Sequence, residues 1–358
     1  MYMKEYHQFS AERLVKRMKV EELYYELPND LLARKPKELL DEAEQITKLL
    51  VMDRSNKDIS HMLFEDCISF FGEGDVLVLN NSKTIKADLI GWFENSVRIN
   101  IQLACDLGNN KWLVYSFSEG IRSGGKAVFG ETRELLSCRF IKNTEGSIWE
   151  VQFLEQDFWK RLDKVGRAIM SPYVDKKYDV SFYQNEYSCN EGSTEMPAAG
   201  RHFKISFLDK LKERGVKVAF VTLHTGLSSI EIEESYFEQH KMHYEQIEVE
   251  EETAKIINEA KAKNKRIFAV GTTVVRTLES CIENGRVIPY KGYTNLYIYP
   301  GYDFKIIDCF FTNFHGPHST RIAMAAAFTG SDLLMKGYKA AIEQKYKFYE
   351  FGDTTLTI

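Results

Sequence analysis

The sequence lacks the features that mark several classes of protein. Its six cysteines form no Cys-x-x-Cys pair, which argues against a disulfide framework and against a structural zinc site. The first 28 residues hold no apolar core like that of a signal peptide, and no stretch approaches the ~20 apolar residues of a membrane span. Walker and Rossmann glycine motifs are missing too, so a nucleoside triphosphatase or an NAD enzyme finds no support. We expect a reduced, cytoplasmic protein without a membrane segment.

The chain also has no net positive charge and has little proline. The formal net charge of −5 excludes general basicity as a route to nucleic acid, although a local cluster of Lys and Arg could still bind phosphates. Seven prolines are too few for a long linker. At 358 residues, with 44% apolar and 28% charged residues, the chain suits a globular protein of about two domains.

The apolar periodicity changes along the chain. Between about residues 74 and 155, short β-like runs from "GDVLVLNN" to "SIWEVQFL" alternate with turns, which indicates a small barrel or sandwich. From about residue 203 onward, helical and strand patterns alternate, which indicates a three-layer α/β domain with a mostly parallel sheet. We therefore predict an α/β domain formed by residues 1–73 and 156–358, with a small antiparallel β-barrel inserted at 74–155.

Several elements of the α/β domain have recognisable ends. "FKISFLDKLKER" carries a helical apolar stripe ended by Gly215, and "STRIAMAAAFTG" predicts a helix capped by Ser319 and ended by Gly330. "TTVVRTLESCIENG" predicts a helix ending at Asn284-Gly285. "VKVAFVTLH", "RIFAV", "TNLYIYP" and "FKIIDCFF" predict strands, of which the first two are expected to be covered on both faces.

Polar residues follow three of these predicted strands. In open parallel sheets, ligands bind just beyond the carboxyl ends of the strands. The residues at the three ends are His224, then Gly271, Thr272 and Thr273, and finally Asn313, His315, His318, Ser319 and Thr320. We therefore expect the three strand ends to form one crevice.

Each of these residues also has an ordinary structural explanation. The helix start at Gly271 exposes N–H groups that could hold a carboxylate or phosphate, but threonine is also a common N-cap. Arg276, one turn further on, could pair with the same ligand or with a helix neighbour. His240 and His243 have the i, i+3 spacing of two metal ligands on a helix, yet no third ligand is adjacent, so we predict no metal site. A strand-end histidine could equally hydrogen-bond a loop carbonyl.

Taken together, nine short motifs occur in the order of a known family. They are "YELP" (25–28), "GDVLVLNNS" (74–82), "MPAAGRHF" (196–203), "VTLHTGL" (221–227), "HKMH" (240–243), "AVGTTVVRTLES" (269–280), "IYPGYDFKIID" (298–308), "TNFHGPHST" (312–320) and "FGD" (351–353). Nine motifs in order resemble the S-adenosylmethionine:tRNA ribosyltransferase-isomerase family of queuosine biosynthesis, over about residues 24–358. The family fold is an α/β domain with an inserted β-barrel, which agrees with the division made above from periodicity.

The resemblance implies an unusual reaction. The ribosyl part of S-adenosylmethionine is transferred to the aminomethyl group of a 7-deazaguanine base at the tRNA wobble position. The ribose isomerises to an epoxycyclopentanediol, and adenine and methionine leave. A base must take a proton from the carbon beside the sulfonium, and a proton donor helps adenine to leave; histidine can serve both tasks. S-adenosylmethionine is a substrate here, and the resemblance implies neither a metal nor a further cofactor, because the sulfonium supplies the activation.

The resemblance also implies roles for particular residues. The catalytic candidates are His224, His243 and His315. The methionine carboxylate would rest on the helix start at 271–273 together with Arg276. The substrate-binding candidates are Gly200, His202, Gly226, Gly271, Thr272, Thr273, Arg276, Asn313, His318, Ser319 and Thr320. The implied partner is tRNA, and we expect a monomer.

The chain also departs from the usual family motifs. Ala198 and Arg201 replace Thr and Leu, Lys83 replaces Arg, and His318 stands where a lysine is common. The segment "LHTGLSSIEIEES" lacks the glycine, aromatic and proline of the family loop. Two alternatives therefore stay open: a relative that uses S-adenosylmethionine on a different acceptor, and a non-catalytic RNA-binding descendant. The polar strand ends argue against the second, since binding alone does not need them.

Overall fold

The computed structural model describes residues 17–94, 97–130, 135–226 and 231–358. Its strands are β1 (Lys48–Asp53), β2 (Asp58–Leu63), β3 (Val76–Asn80), β4 (Ser82–Thr84), β5 (Asp88–Phe93), β6 (Val97–Gly108), β7 (Lys111–Tyr115), β8 (Lys126–Phe129), β9 (Leu136–Glu145), β10 (Ile148–Phe153), β11 (Asn190–Ser193), β12 (Lys217–Leu223), β13 (Glu245–Val249), β14 (Ile267–Val270), β15 (Ile282–Glu283), β16 (Arg286–Val287), β17 (Tyr290–Thr294), β18 (Cys309–Asn313) and β19 (Thr354–Thr357). The α-helices are α1 (Glu42–Gln45), α2 (Phe158–Val165), α3 (Ile205–Glu213), α4 (Glu251–Ala262), α5 (Thr272–Ser280), α6 (Thr320–Thr329) and α7 (Ser331–Glu343). No helix within these ranges is long and apolar enough to cross a membrane.

Nine strands form one large sheet in the order β17-β13-β12-β3-β14-β18-β19-β1-β2. The central run β12-β3-β14-β18 is parallel throughout, as predicted. The sheet as a whole is mixed. On one side β13 pairs antiparallel with both β12 and β17, and on the other β19 pairs antiparallel with β18 and β2 with β1. The carboxyl ends of the four central strands therefore lie together at one edge.

Helices cover both faces of this sheet. Along β3, Val76 and Val78 face a core that includes α4, α5, α6 and α7. Leu77 and Leu79 point the other way, into a core shared with α3 and the short helical segment Phe64–Phe70. Because alternate residues of a strand face opposite sides, a strand buried on both faces has to be apolar throughout. The three-layer α/β prediction is confirmed.

Six strands form the closed antiparallel barrel β10-β7-β6-β5-β8-β9, which spans Asp88 to Phe153. One prediction about this region is wrong, since "GDVLVLNN" was assigned to the barrel but supplies β3, in the middle of the large sheet. All five residues of β3 are buried, whereas barrel strands such as β8 alternate between buried and more exposed positions. The unbroken apolar run of β3 is the sequence feature that distinguishes it from the strands of the barrel.

Two local predictions also differ from the structure, and one is confirmed. Helix α5 ends at Ser280, and Asn284-Gly285 forms the turn of the β15–β16 hairpin, where φ is 50° and 75°. Asn-Gly with two positive φ angles is the preferred two-residue hairpin turn. The predicted strand "TNLYIYP" begins where β17 ends. Helix α6 has the predicted ends, with the Ser319 hydroxyl accepting a hydrogen bond from the Ile322 N–H at 3.2 Å.

Candidate active site

A cavity of about 850 Å³ opens at the carboxyl ends of β14 and β18, where α5 and α6 begin. Nine of the predicted site residues line it: Gly271, Thr272, Thr273, Arg276, Asn313, His315, His318, Ser319 and Thr320. The other walls come from the segments at 29–34, 171–173, 195–199 and 349–350. Thr225, which directly follows His224 at the end of β12, also lines the cavity. Residues from all three predicted strand ends therefore meet in one site, although His224 itself does not line it.

The start of α5 forms one wall of the cavity. Gly271 has a φ of 88°, a conformation that suits glycine, and its N–H donates to the Phe311 carbonyl at 2.8 Å. Thr272 and Thr273, the first two residues of α5, line the cavity, and the first N–H groups of a helix have no partner within it. The Thr273 hydroxyl oxygen is buried and has no hydrogen-bond partner among the described residues. The wall is suited to a negatively charged ligand group.

Arg276 lies one turn further along α5 and is almost wholly buried. Its guanidinium pairs with the buried carboxylate of Glu245 on β13, and its Nε donates to the Leu296 carbonyl at 3.0 Å. The Nη2 atom is buried without a partner in the part of the chain that the structure describes. Arg276 is therefore fixed by the protein and keeps donor capacity for a ligand.

His315 follows β18 and is held in place from several sides. Its Nε2 lies 2.7 Å from the Thr312 hydroxyl, and its backbone N–H donates to the Tyr338 hydroxyl at 3.0 Å. The Tyr25 hydroxyl donates to the His315 carbonyl. Burial, helped by the nearby Arg321, lowers the pKa of His315 to about 3. The imidazole is therefore neutral at physiological pH.

The other residues after β18 shape the same wall. The Asn313 Nδ2 donates to the Tyr349 carbonyl at 3.0 Å, while its Oδ1 is buried and unpaired within the described ranges. His318 is half-buried with a φ of 61°, and its Nε2 lies 3.7 Å from a Glu21 carboxylate oxygen. Ser319 caps α6, and Thr320 is its first residue. A second helix start thus faces the cavity.

His224 does not line the cavity. Its strand, β12, is separated from β18 by β3 and β14, so three strand spacings of ~4.8 Å separate the two strands by about 14 Å. The His224 Nδ1 lies 2.7 Å from the Ser82 hydroxyl, and burial lowers the pKa of the ring to about 4. The two strands that precede His224 and His315 are therefore not neighbours in the sheet, because local patterns predict strands but not their order.

Two predicted glycines outside the cavity have structural explanations. A Cβ at Gly200 would come within 2.0 Å of the Tyr187 hydroxyl oxygen. A Cβ at Gly226 would come within 1.9 Å of the Ala104 carbonyl oxygen, which belongs to barrel strand β6. The Gly226 N–H also donates to Glu245 at 2.7 Å. Gly226 therefore permits a close contact between the barrel and the large sheet.

The remaining predicted histidines also lie outside the cavity lining. The His202 Nδ1 is 3.3 Å from the Thr47 hydroxyl, and burial lowers the pKa of its ring well below the ordinary value. His240 and His243 lie between the short 3₁₀ helix Phe237–Gln239 and β13. Neither residue is in a helix, so the expected i, i+3 placement on one helix face is not formed. Among the described residues, no group of three His, Cys, Asp or Glu is arranged to hold a metal ion.

Several cavity residues were not predicted from the sequence. The most notable is Glu350, which precedes the "FGD" motif; burial and the Glu195 carboxylate raise its pKa to about 7. Tyr173, Tyr297 and Arg321 also line the cavity. These residues come from loops and from the C-terminal segment, where no periodicity indicates that they converge. Only the position of Glu350 next to a motif could have drawn attention to it.

Unpaired polar atoms are concentrated in this cavity. Five of its lining residues carry a buried side-chain polar atom without a partner in the described structure: Thr273 Oγ1, Arg276 Nη2, Tyr297 Oη, Asn313 Oδ1 and Glu350 Oε1. Buried polar groups are normally hydrogen-bonded, and each exception calls for an explanation. A polar ligand that satisfies both donors and acceptors would provide one.

Comparisons with known proteins show which family the chain resembles. The model of the family described as queuosine biosynthesis protein matches residues 20–357. The S-adenosylmethionine:tRNA ribosyltransferase-isomerase of Caldanaerobacter subterraneus is 41% identical over 347 residues, which cover 95% of this chain and 100% of the relative. The enzyme of the same name from Flavobacterium psychrophilum is 37% identical over 356 residues, with coverage of 95% and 100%.

A solved structure is similar over nearly the whole chain. It is the crystal structure of S-adenosylmethionine tRNA ribosyltransferase from Thermotoga maritima, with 31% sequence identity and a TM-score of 0.54. The match covers 94% of this chain and 100% of that one. The resemblance inferred from nine motifs is thereby confirmed. The chain belongs to the queuosine biosynthesis protein family, that of the S-adenosylmethionine:tRNA ribosyltransferase-isomerases.

Proposed function

We propose that this enzyme transfers and isomerises the ribosyl group of S-adenosylmethionine onto 7-aminomethyl-7-deazaguanine at the tRNA wobble position, releasing adenine and methionine. The observation that carries this assignment is the large cavity in which five buried polar groups without a partner among the described residues and two helix starts converge. Its volume of about 850 Å³ falls in the range of ~300–1,000 Å³ that is usual for small-molecule sites. S-adenosylmethionine carries a carboxylate, hydroxyls and a purine, which together supply partners for such groups.

The start of α5 is the part of the cavity best suited to the methionine carboxylate. The N–H groups of Thr272 and Thr273 and the helix dipole favour an anion there. The unpaired Nη2 of Arg276 adds a charged donor one turn away. Because the Arg276–Glu245 pair already holds the guanidinium, little side-chain freedom would be lost when the carboxylate binds.

His315 is the best candidate for the base that takes the proton from the carbon beside the sulfonium. It lines the cavity, and its ring is neutral near pH 7. The Thr312 hydroxyl and the backbone contacts fix its orientation, as a general base requires. His224 and His243, which the sequence also suggested as catalytic, do not line this cavity. We assign them supporting roles outside it.

The sulfonium supplies the activation in this proposal, so the enzyme requires neither a metal nor a resident cofactor. We propose that the enzyme acts as a monomer. The acceptor, tRNA, is a cytoplasmic molecule, which supports the cytoplasmic location expected from the sequence.

A second candidate function is transfer of the same ribosyl group to a different acceptor. It is favoured by the position of the residues that depart from the family motifs, since Ala198 and His318 both line the cavity. The segment at 227–230, part of the altered loop, lies outside the described residues.

The test is to incubate the enzyme with S-adenosylmethionine and tRNA that carries 7-aminomethyl-7-deazaguanine. Release of adenine is followed by chromatography, and the wobble nucleoside is identified by mass spectrometry. We expect adenine and the modified nucleoside to form in equal amounts. The parallel reaction with fully modified tRNA is the control. Adenine release without a change at the wobble base would support the second candidate, and no release with any tRNA would contradict both.

A further inference from the structure

One end of the cavity has the character of a site for a flat heterocycle. The rings of Tyr173 and Tyr349 stack with centroids 4.3 Å apart and an angle of 17° between their planes, and both residues line the cavity. Glu350 follows Tyr349 directly. The Tyr349 N–H donates to the Phe314 carbonyl at 3.1 Å, so this segment is attached to the strand end that carries His315. The aromatic pair and the carboxyl group therefore lie on the same wall.

The Glu350 carboxyl group has an unusual set of neighbours. Its Oε1 is buried and unpaired in the described structure. The carboxylate of Glu195 opposes its ionisation, as does burial, whereas Ser171, Arg201 and Arg321 favour it. The phenol groups of Tyr173 and Tyr183 also face it. Since burial and Glu195 prevail, the pKa rises to about 7, so the carboxyl group can hold a proton near neutral pH.

A neutral carboxyl group and an ionised one suit different bases. The neutral form has one O–H donor beside one carbonyl acceptor, whereas the ionised form only accepts. Adenine presents an amino donor next to a ring-nitrogen acceptor, which complements the neutral form. The Watson–Crick edge of a 7-deazaguanine presents two adjacent N–H donors, which would suit the ionised form. The purine of S-adenosylmethionine is thus the better match for a carboxyl group that faces a second carboxylate.

We propose that Glu350, as the neutral acid, binds the adenine of S-adenosylmethionine, donating to a ring nitrogen and accepting from the amino group, with the purine against the Tyr173–Tyr349 pair. This assignment rests on the proposed function. It places the adenine at the end of the cavity formed by 171–173 and 349–350, and the methionine carboxylate at the start of α5. His315 then lies on the wall between the two ends, beside the ribose.

The test is calorimetry with S-adenosylhomocysteine, an unreactive analogue that carries the same purine and carboxylate. Three proteins are compared at pH 6, 7 and 8: wild type, Glu350→Gln and Glu350→Ala. If only the protonated acid binds, the wild-type affinity falls by about tenfold between pH 6 and pH 8. Glutamine also offers one donor and one acceptor, so Glu350→Gln should bind with a pH dependence of less than about twofold. Glu350→Ala should bind at least about tenfold more weakly at pH 6.

The possible outcomes separate this assignment from the proposed function. Wild-type binding that does not vary with pH, together with normal adenine release from tRNA reactions, overturns the role of Glu350 alone. A Glu350→Ala protein with wild-type affinity for the analogue at pH 6 but a raised KM for tRNA also overturns it and assigns Glu350 to the acceptor base. A wild-type protein that neither binds the analogue nor releases adenine overturns both. Melting curves of each variant establish that it is folded.

Discussion

Replacing His315 is the most direct test of the chemistry proposed for this cavity. In His315→Ala, the imidazole that would take the proton from the sulfonium-activated carbon is lost. A positioned general base contributes about 10²–10⁴-fold to rate. We therefore expect turnover to fall by at least ~100-fold, which corresponds to about 2.7 kcal/mol in the activation free energy at ~1.36 kcal/mol per tenfold change.

The effect should be on the chemical step and not on binding. His315 is anchored by Thr312 and Tyr338 on the protein side, and the proposed contacts to carboxylate and adenine lie elsewhere in the cavity. The KM for S-adenosylmethionine should therefore change by less than about threefold while kcat falls. The assay is adenine release in single-turnover reactions with saturating S-adenosylmethionine and tRNA that carries 7-aminomethyl-7-deazaguanine.

The pH dependence of the rate gives an independent check. Burial lowers the pKa of His315 to about 3, so the base is already deprotonated throughout pH 5 to 8. An acidic limb in the wild-type profile within that range must come from another group and should persist in His315→Gln. His61→Ala is the matched control, because His61 bonds the Tyr346 hydroxyl at 2.9 Å and does not line the cavity. Near wild-type release by both His315 variants would refute the reasoning and move the search to Glu350 and Glu195.

Three further predictions follow from the contacts described above. His224→Ala should lower the melting temperature while reducing turnover by less than about tenfold, because the His224 ring hydrogen-bonds the Ser82 hydroxyl and does not line the cavity. A ~100-fold loss of turnover in a folded variant would contradict this. Gly226→Ala should destabilise the protein by about 1–3 kcal/mol in urea unfolding, since the new Cβ would overlap the Ala104 carbonyl oxygen. Gly285→Ala is the control for backbone strain alone, because Gly285 has a φ of 75° but open space around it. The pKa values of His224 and His315 in the folded protein lie below the unfolded value, so the unfolded chain binds more protons between about pH 4 and 6.5, and the free energy of unfolding should fall as the pH drops through that window. His224→Gln should show a shallower fall with pH. A slope equal to that of the wild type would argue against a buried neutral ring at His224.

The sequence by itself determined the local elements and the family. Local features depend on residues that are adjacent in the sequence, so they can be predicted from short segments. Examples are the caps of α6 at Ser319 and Gly330, the buried strands β12 and β14, and the change of periodicity near the barrel. Motif order was equally accessible, since it requires only that short segments be recognised in sequence. His315 was found because the end of a buried strand followed by a helix start is a local pattern with a known place in α/β sheets.

Only the tertiary structure decided which of these segments meet. The order β12-β3-β14-β18 separates His224 from His315, and it also takes β3 out of the barrel and puts it in the large sheet. Glu350 reaches the cavity because β19 returns antiparallel beside β18, which brings the segment that precedes β19 to the same wall. Strand order and the convergence of loops are set by burial summed over residues far apart in the chain, so no single segment carries that information.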